Sequence, residues 1–300
     1  MSGLTSMIKD TIKRDNRNML WVYENAQYLT MMGSRAYGTN TETSDYDIYG
    51  FTIPPKDYIY PEGYIVGFDT LPSFDQYQKH HIPYQKTDVD IQIFNITKYL
   101  TLLMQNNPNI LDSLFVKSTD ILKSTEIGDL IRDNRFKMLH KGSYHKFKGY
   151  AFSQLKKAKS QTRVGKRSEV VEEFGYDVKF ASHIIRLLDE CEQILENGDI
   201  DLHRVREQVK AVKRGDYTLE EIEKIFKEKE HMLDDLYQTS ELPYKPDVSF
   251  FRGLLSRCLE IWFGSIDKVP KSLMSSVSYD IIGDLYEIIR HYEYKERING

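Results

Sequence analysis

The chain has 300 residues, of which 40% are hydrophobic and 29% charged, a composition typical of a globular protein with a well-buried core. It has no apolar run of the roughly 18 residues that a membrane-spanning helix needs, and its N-terminus lacks the apolar segment of a secretory signal. The two cysteines, Cys191 and Cys258, lie in helix-like apolar patterns, which favours buried thiols in a reducing compartment over a disulfide. We therefore expect a cytoplasmic protein with one large domain or two, and no membrane partner.

Positive charge is concentrated in one segment, although the net charge is −4. Between Arg135 and Arg167 there are eleven Lys and Arg residues and no Asp or Glu. Segregation of this kind is typical of a surface that binds a polyanion.

The first 117 residues are predicted to form a small α/β unit. A helix is expected from Leu4 to about Arg14. Period-two alternation then predicts three strands, at Ala26–Met32, Asp45–Ile53 and Thr87–Asn95. A helix beginning at Ile96 should end where Asn106, Asn107 and Pro108 interrupt it.

Residues 54–84 are rich in Pro, Gly and aromatic side chains, which predicts an elaborated loop or a hairpin inserted between two strands. Its aromatic residues could stack on bases or pack against the sheet, which is the commoner outcome; they are Tyr58, Tyr60, Tyr64, Phe68, Phe74 and Tyr77. His80 and His81 have no partner cysteines and no His-x-x-x-His spacing, so no structural zinc site is expected.

Beyond residue 118 the pattern is helical throughout. Apolar residues recur every three or four positions from Tyr144 to Ala158 and from Phe180 to Leu195, as on amphipathic helices. Further helices are expected near residues 218–237, 249–263 and 276–294. Thr218 precedes two acidic residues, which is typical of a helix N-terminus.

The stretch "GSRAYGTNTETSDYDIYG", Gly33 to Gly50, carries the strongest chemical signal. Side chains two residues apart in a strand share a face, so Asp45 and Asp47 should lie side by side. Their mutual repulsion is relieved by a cation, and Mg²⁺ is the ion that prefers oxygen ligands. Gly33 and Ser34 would supply backbone amides and a hydroxyl to a polyphosphate. The alternative is an exposed hairpin with solvated aspartates.

Glycine and serine followed by Asp-x-Asp resembles the signature of the polymerase-β-type nucleotidyltransferase superfamily. Together with "NNPNILDSLF" and "FGYDVKFASHIIRLL", the stretch is similar to the predicted nucleotidyltransferases that include the RNA-repair-associated polymerase-β family proteins. The resemblance covers about residues 30–215. It implies an α+β fold, with a polymerase-β-like catalytic domain over residues 1–117 and an all-helical domain over 118–300 that completes the nucleotide and substrate site.

The resemblance also implies roles for individual residues. Asp45 and Asp47 would bind two Mg²⁺ ions, and a third carboxylate would help to activate the attacking hydroxyl. Asp90 is assigned to that third position, with metal binding and hydroxyl activation as its roles, because it lies within the regular alternation of its strand, whereas Asp88 is closer to the strand end. Tyr49 stands where relatives often carry a basic residue, so a local substrate contact should differ there.

Three further residues, Lys179, His183 and Arg186, share one stripe of a predicted helix at spacings of four and three. Their spacing alone is that of a solvated face; the family pattern implies that the stripe contacts nucleotide phosphates. The nucleotide-binding set is thus Gly33, Ser34, Arg35, Lys179, His183 and Arg186.

The basic segment is assigned to nucleic acid, most simply to RNA, rather than to a merely solvated surface. The residues expected to contact phosphates are Lys146, Lys148, Lys156, Lys157, Lys159 and Arg163.

The expected function is transfer of a nucleoside monophosphate from an NTP to a hydroxyl, most simply an RNA 3′ end. Two alternatives stay open: modification of a protein or small molecule, and a silent nucleotide- or RNA-binding module.

Overall fold

A computed structural model of the chain describes residues 2–59, 73–160 and 166–264. The helix predicted at 276–294 and the residues Tyr60, Tyr64, Phe68 and Arg163 lie outside these ranges. None of the described helices has the length and apolar character needed to cross a bilayer.

The described residues form an α+β fold with five strands and thirteen α-helices. The strands are β1 (Ala26–Met32), β2 (Tyr46–Thr52), β3 (Gln76–Tyr84), β4 (Thr87–Asn95) and β5 (Ile121–Ser124). The first seven helices are α1 (Ser2–Asp15), α2 (Trp21–Glu24), α3 (Gly33–Ala36), α4 (Lys56–Ile59), α5 (Ile96–Met104), α6 (Pro108–Phe115) and α7 (Glu126–Asp133). The others are α8 (Gly142–Lys159), α9 (Lys166–Phe174), α10 (Val178–Asn197), α11 (Arg206–Lys213), α12 (Leu219–Thr239) and α13 (Val248–Phe263).

The strands form one mixed sheet in the order β3-β4-β2-β1-β5. Neighbouring strands are antiparallel except β2 and β4, which run parallel. The residues predicted for β1 and β4 match the observed strands, and β2 is one residue shorter at each end than predicted. β3 shows that the insertion contains a hairpin strand, and its aromatic residues Phe74 and Tyr77 are buried against the sheet.

Two hydrophobic clusters cover the two faces of the sheet. Leu29, Ile48 and Ile91 point to the face that helix α1 covers. Tyr28, Phe51 and Phe94 point to the other face, and their cluster continues through the helical region as far as Leu259. Cys191 and Cys258 are free and buried within this second cluster.

The expectation of an all-helical region from residue 118 needs a correction, because β5 joins the sheet beside β1. β5 satisfies the backbone groups of a strand that would otherwise be an edge, so the sheet extends past residue 117. The remaining described elements after β5 are helical. Thr218 and Glu221 form the reciprocal capping box that begins α12.

Candidate active site

The predicted carboxylates meet at the centre of the sheet. In the parallel pair β2–β4, Asp47 lies opposite Asp90. Because paired residues in a sheet point to the same face, both carboxylates project towards the helical region, away from Ile48 and Ile91. Asp88 precedes Asp90 by two residues in β4, its amide donates to the Asp45 carboxylate, and its side chain is more exposed than that of Asp90 (43% against 27%).

Each of the three carboxylates is held by its own neighbour. Asp45 accepts hydrogen bonds from the Thr87 hydroxyl (2.7 Å) and the Asp88 amide (3.3 Å). Asp90 is approached by His80 and His81 of β3. Asp47 packs directly on the backbone of Gly33. The residues that contact the three carboxylates therefore come from three different elements, β4, β3 and α3.

Gly33 is required where it stands for two reasons. Its φ is +62°, a left-handed conformation that glycine adopts readily and other residues adopt at a cost. A Cβ at this position would lie 1.8 Å from Oδ2 of Asp47, well inside van der Waals contact. The glycine of the Gly33-Ser34 pair thus makes room for the carboxylate that follows it on the neighbouring strand.

The electrostatics of the site favour a cation beside Asp47. Burial raises the pKa of Asp47, and the negative charges of Asp90 and Asp45 raise it further, while Lys179 opposes the rise. A bound divalent cation relieves the repulsion between neighbouring carboxylates. Tyr49, on the same face of β2, has its pKa raised to about 12 by burial and by Asp47.

The donor set fits Mg²⁺ that is shared with a substrate. Among residues 2–59, 73–160 and 166–264, no group of three His, Cys, Asp or Glu side chains could hold a metal ion alone. Asp47 and Asp90 supply two carboxylates, and Mg²⁺ usually binds through one or two carboxylates together with waters and substrate phosphates.

Lys179 is a cation close to the candidate carboxylates. It is exposed in the first turn of α10, which Asp177 caps with its side chain, and its charge acts on Asp47. His183, one turn later, is half-buried.

Lys213, which the sequence patterns did not single out, lies close to Lys179. Its Nζ donates to the Thr39 hydroxyl at 3.0 Å, and Thr39 in turn donates its amide to the Ser34 carbonyl at 2.8 Å. Burial lowers the pKa of Lys213, as do the charges of Lys179 and Arg186. A half-buried ammonium beside other cations is a suitable contact for an anionic ligand. The sequence gives no signal that Lys213 could contact an anion, because Lys213 lies at the end of an amphipathic helix of ordinary charge.

Arg35, one of the predicted nucleotide contacts, binds the turn that precedes β2. Arg35 donates to the carbonyls of Ser44 (2.7 Å) and Asp45 (3.2 Å), and its guanidinium lies 3.7 Å from the centre of the Tyr46 ring. It therefore braces the turn that leads into β2.

Arg186 is buried, with 5% of its surface exposed. Its Nη1 pairs with Asp112 at 2.6 Å and with Glu190 at 2.9 Å, and Tyr37 donates to the same Asp112 oxygen at 2.8 Å. This cluster joins the segment after Gly33 to helices α6 and α10. Arg186, the arginine of the "ASHIIR" segment, therefore neutralises buried carboxylates within the fold.

The basic segment forms α8, and its lysines divide between two faces. Lys148 pairs with Glu230 and Asp234, both at 3.0 Å, and Lys159 pairs with Glu223 at 2.9 Å. The acids come from α12, so a segment without acids in sequence is partly neutralised in space. Lys148 and Lys159, which the sequence analysis assigns to phosphate contacts, therefore pair with carboxylates of α12 in the structure.

The other face of α8 turns towards the carboxylates. Lys146, Tyr150 and Lys157 lie within about 40° of one another around the helix. Tyr150 is close enough to Tyr49 of β2 to raise its pKa. Lys146 and Lys157 are exposed, and Lys157 lies over the Phe180 ring at 5.6 Å. Lys156 is exposed beside Phe152 on the outer side of the helix.

Comparison with known proteins identifies the family. The model of the RNA repair pathway DNA polymerase beta family matches residues 11–264. The chain belongs to this family. It is accordingly a nucleotidyltransferase, and the match spans both the sheet and the helices that face it.

The comparison with curated proteins gives no match. Among solved structures, the chain is similar to a nucleotidyltransferase-like protein from Exiguobacterium sibiricum 255-15, with 12% identity and a TM-score of 0.29. The match covers 76% of this chain and 74% of that one.

Proposed function

We propose that this family member transfers a nucleoside monophosphate from an NTP to the 3′-hydroxyl of an RNA, with Asp47 and Asp90 as the central carboxylates. The observation that carries the proposal is the pairing of Asp47 with Asp90 across two parallel strands, next to the Gly33-Ser34 turn. Asp45, whose carboxylate accepts a hydrogen bond from the Thr87 hydroxyl, is the remaining carboxylate of the proposed site.

Asp45, Asp47 and Asp90 would hold the two Mg²⁺ ions of the proposed site together with the substrate. When bound, such ions neutralise developing charge on the phosphate oxygens and acidify the attacking hydroxyl. Asp90 orients that hydroxyl and accepts its proton. The hydroxyl oxygen forms a bond to the α-phosphorus, the bond between the α- and β-phosphates breaks, and pyrophosphate leaves.

Lys179 and Lys213 are proposed to bind the β- and γ-phosphates. Both cations lie near the carboxylates or the turn after Gly33, and Lys213 has no carboxylate among the groups that shift its pKa. Arg35 and Arg186 hold the turn and the helix that position these groups. Ser34 remains in the proposed phosphate contact, together with the backbone at Gly33, and His183 stays a proposed contact on the Lys179 stripe.

Lys213→Met is expected to weaken NTP binding by about tenfold or more, because a charge-assisted hydrogen bond contributes roughly 1.5–3 kcal/mol. Lys210→Met is the matched control, since Lys210 lies on the same helix and pairs with Glu207 at 3.2 Å. Equilibrium titration with a non-hydrolysable NTP analogue measures the effect. Equal affinities for the two variants would contradict a phosphate contact at Lys213.

The division of α8 into two faces gives a test of RNA binding. The double variant Lys146→Ala/Lys157→Ala should bind RNA less tightly and with a flatter salt dependence, because fewer phosphates are neutralised. Lys148→Ala/Lys159→Ala removes the same charge from the face paired with α12 and should change the salt slope much less. Equal slopes for the two doubles would contradict an RNA path along the face of α8 that bears Lys146 and Lys157.

The acceptor is tested by incubating the protein with Mg²⁺, each α-labelled NTP in turn, and matched RNAs that end in a 3′-hydroxyl or a 3′-phosphate. Label should enter only the 3′-hydroxyl RNA. Label on the protein itself or on a protein of an added lysate would instead support protein modification, and label on neither would contradict the proposal.

A further inference from the structure

Strand β3 contains a β-bulge directly opposite Asp90. Lys79 pairs with Ile91 and Ile82 pairs with Val89, so His80 and His81 together face the one residue between them. His81 has a φ of +54°, a left-handed conformation that is uncommon for a residue with a side chain. Bulges re-aim side chains beside active sites.

The two histidines contact both oxygens of the Asp90 carboxylate. The backbone amide of His81 donates to Oδ1 at 2.8 Å, and Nδ1 of His80 lies 3.0 Å from Oδ2. A carboxylate oxygen has two lone-pair directions. One direction on each oxygen therefore remains available for a metal ion.

A chain of amides sets the tautomer of His80. Gln76 donates to the side-chain oxygen of Gln78 at 2.8 Å, which leaves the Gln78 amide nitrogen to donate to Nε2 of His80. With Nε2 as the acceptor, the proton of the neutral ring is on Nδ1 and points to Asp90. The arrangement has the form of the outer hydrogen bonds that orient metal-binding carboxylates.

Stability gives little reason for this arrangement. His80 is half exposed, and exposed pairs contribute about 0–1 kcal/mol. The left-handed backbone at His81 costs roughly 1 kcal/mol or more. The His81 ring lies 3.7 Å from Asp88, beyond hydrogen-bond range, and the hydrogen bond from His81 to Asp90 comes from its backbone amide.

We propose that the β3 bulge is a positioning device for the third carboxylate: His80 and the His81 amide hold Asp90 in the orientation in which it binds metal together with Asp47. The inference rests on the proposed function for the role of Asp90. His80 is a positioning residue, since it acts through Asp90 and not on the substrate.

Three single variants separate the side chain from the backbone. His80→Ala removes the contact to Oδ2; His80→Asn restores a donor where Nδ1 stood; His81→Gly keeps the amide and suits a φ of +54°. Mn²⁺ affinity is measured by electron paramagnetic resonance, with and without a non-hydrolysable NTP analogue, beside transfer rates and melting temperatures.

His80→Ala should lower Mn²⁺ affinity and transfer rate by about 10- to 100-fold with an unchanged melting temperature. His80→Asn should recover most of both, and His81→Gly should match the wild type. Unchanged Mn²⁺ affinity in His80→Ala, or the same loss in His80→Asn, would overturn the proposal, as would a wild type that binds no Mn²⁺ under either condition.

Failure of the proposed function gives a different result. A wild type that does not transfer nucleotide, yet loses Mn²⁺ affinity on His80→Ala, would support the positioning role and contradict the reaction. A wild type that transfers nucleotide and is insensitive to His80→Ala would do the reverse.

Discussion

Asp90→Ala is expected to reduce nucleotidyl transfer by about 10³-fold or more, because metal-assisted charge stabilisation contributes several kcal/mol. NTP binding should persist, since Asp45, Asp47 and the lysines remain. Asp90 repels the buried carboxylate of Asp47 and so raises its pKa. Because Asp90→Ala removes this repulsion, the melting temperature should not fall. Single-turnover rates, analogue titration and thermal unfolding measure the three effects.

Asp88→Ala is the matched control. Asp88 lies on the same strand and the same face, but its neighbour is Asp45 and not Asp47, and it is more exposed than Asp90. Its loss should therefore cost about tenfold or less. The reverse ranking of Asp88 and Asp90 would contradict the assignment of the third carboxylate.

The second large effect concerns stability. Arg186→Met leaves Asp112 and Glu190 buried without their cation, and breaking a buried pair typically costs about 3–5 kcal/mol. The triple variant Arg186→Met/Asp112→Asn/Glu190→Gln, which has no uncompensated charge, should recover much of that loss. Urea unfolding measures the free energies.

This loss should depend on pH in a defined direction. Burial raises the pKa values of Asp112 and Glu190, so the folded state binds more protons than the unfolded state between the unfolded and folded pKa values. The contribution of these two carboxyls to the free energy of unfolding is then fully present below about pH 4, the range of their pKa values in the unfolded chain. It falls as the pH rises towards the folded pKa values. Arg186→Met should therefore be destabilised more at pH 8 than at pH 5. A loss under 1 kcal/mol at both pH values would contradict a structural role for Arg186.

The strands that carry the candidate carboxylates were predictable because their signal is local. Alternation along β2 and β4 placed Asp45, Asp47 and Asp90 on one face, and the register between the strands then brought Asp47 and Asp90 together. Gly33 was predictable as a turn residue. Its contact with Asp47 was not, since that contact depends on the pairing of β1 with β2.

The remaining features depend on contacts between distant segments. The acids that pair with Lys148 follow it by more than 80 residues, so a count along the chain overstated the charge of α8. Lys213 reaches Thr39 only because α11 lies beside the segment that follows α3. The bulge at His80 and His81 does leave a trace in the sequence, because the buried positions of β3 change from Tyr77 to Ile82 and so shift from odd to even.

Paired reactions with α-labelled and γ-labelled NTP, under otherwise identical conditions with Mg²⁺ and a 3′-hydroxyl RNA, test the central claim most directly. Nucleotidyl transfer at the Asp47–Asp90 pair predicts that the α-label enters the RNA, that the γ-label leaves as pyrophosphate, and that Asp47→Asn abolishes both without unfolding the protein. Entry of the γ-label into the RNA, or full activity in Asp47→Asn, would contradict it.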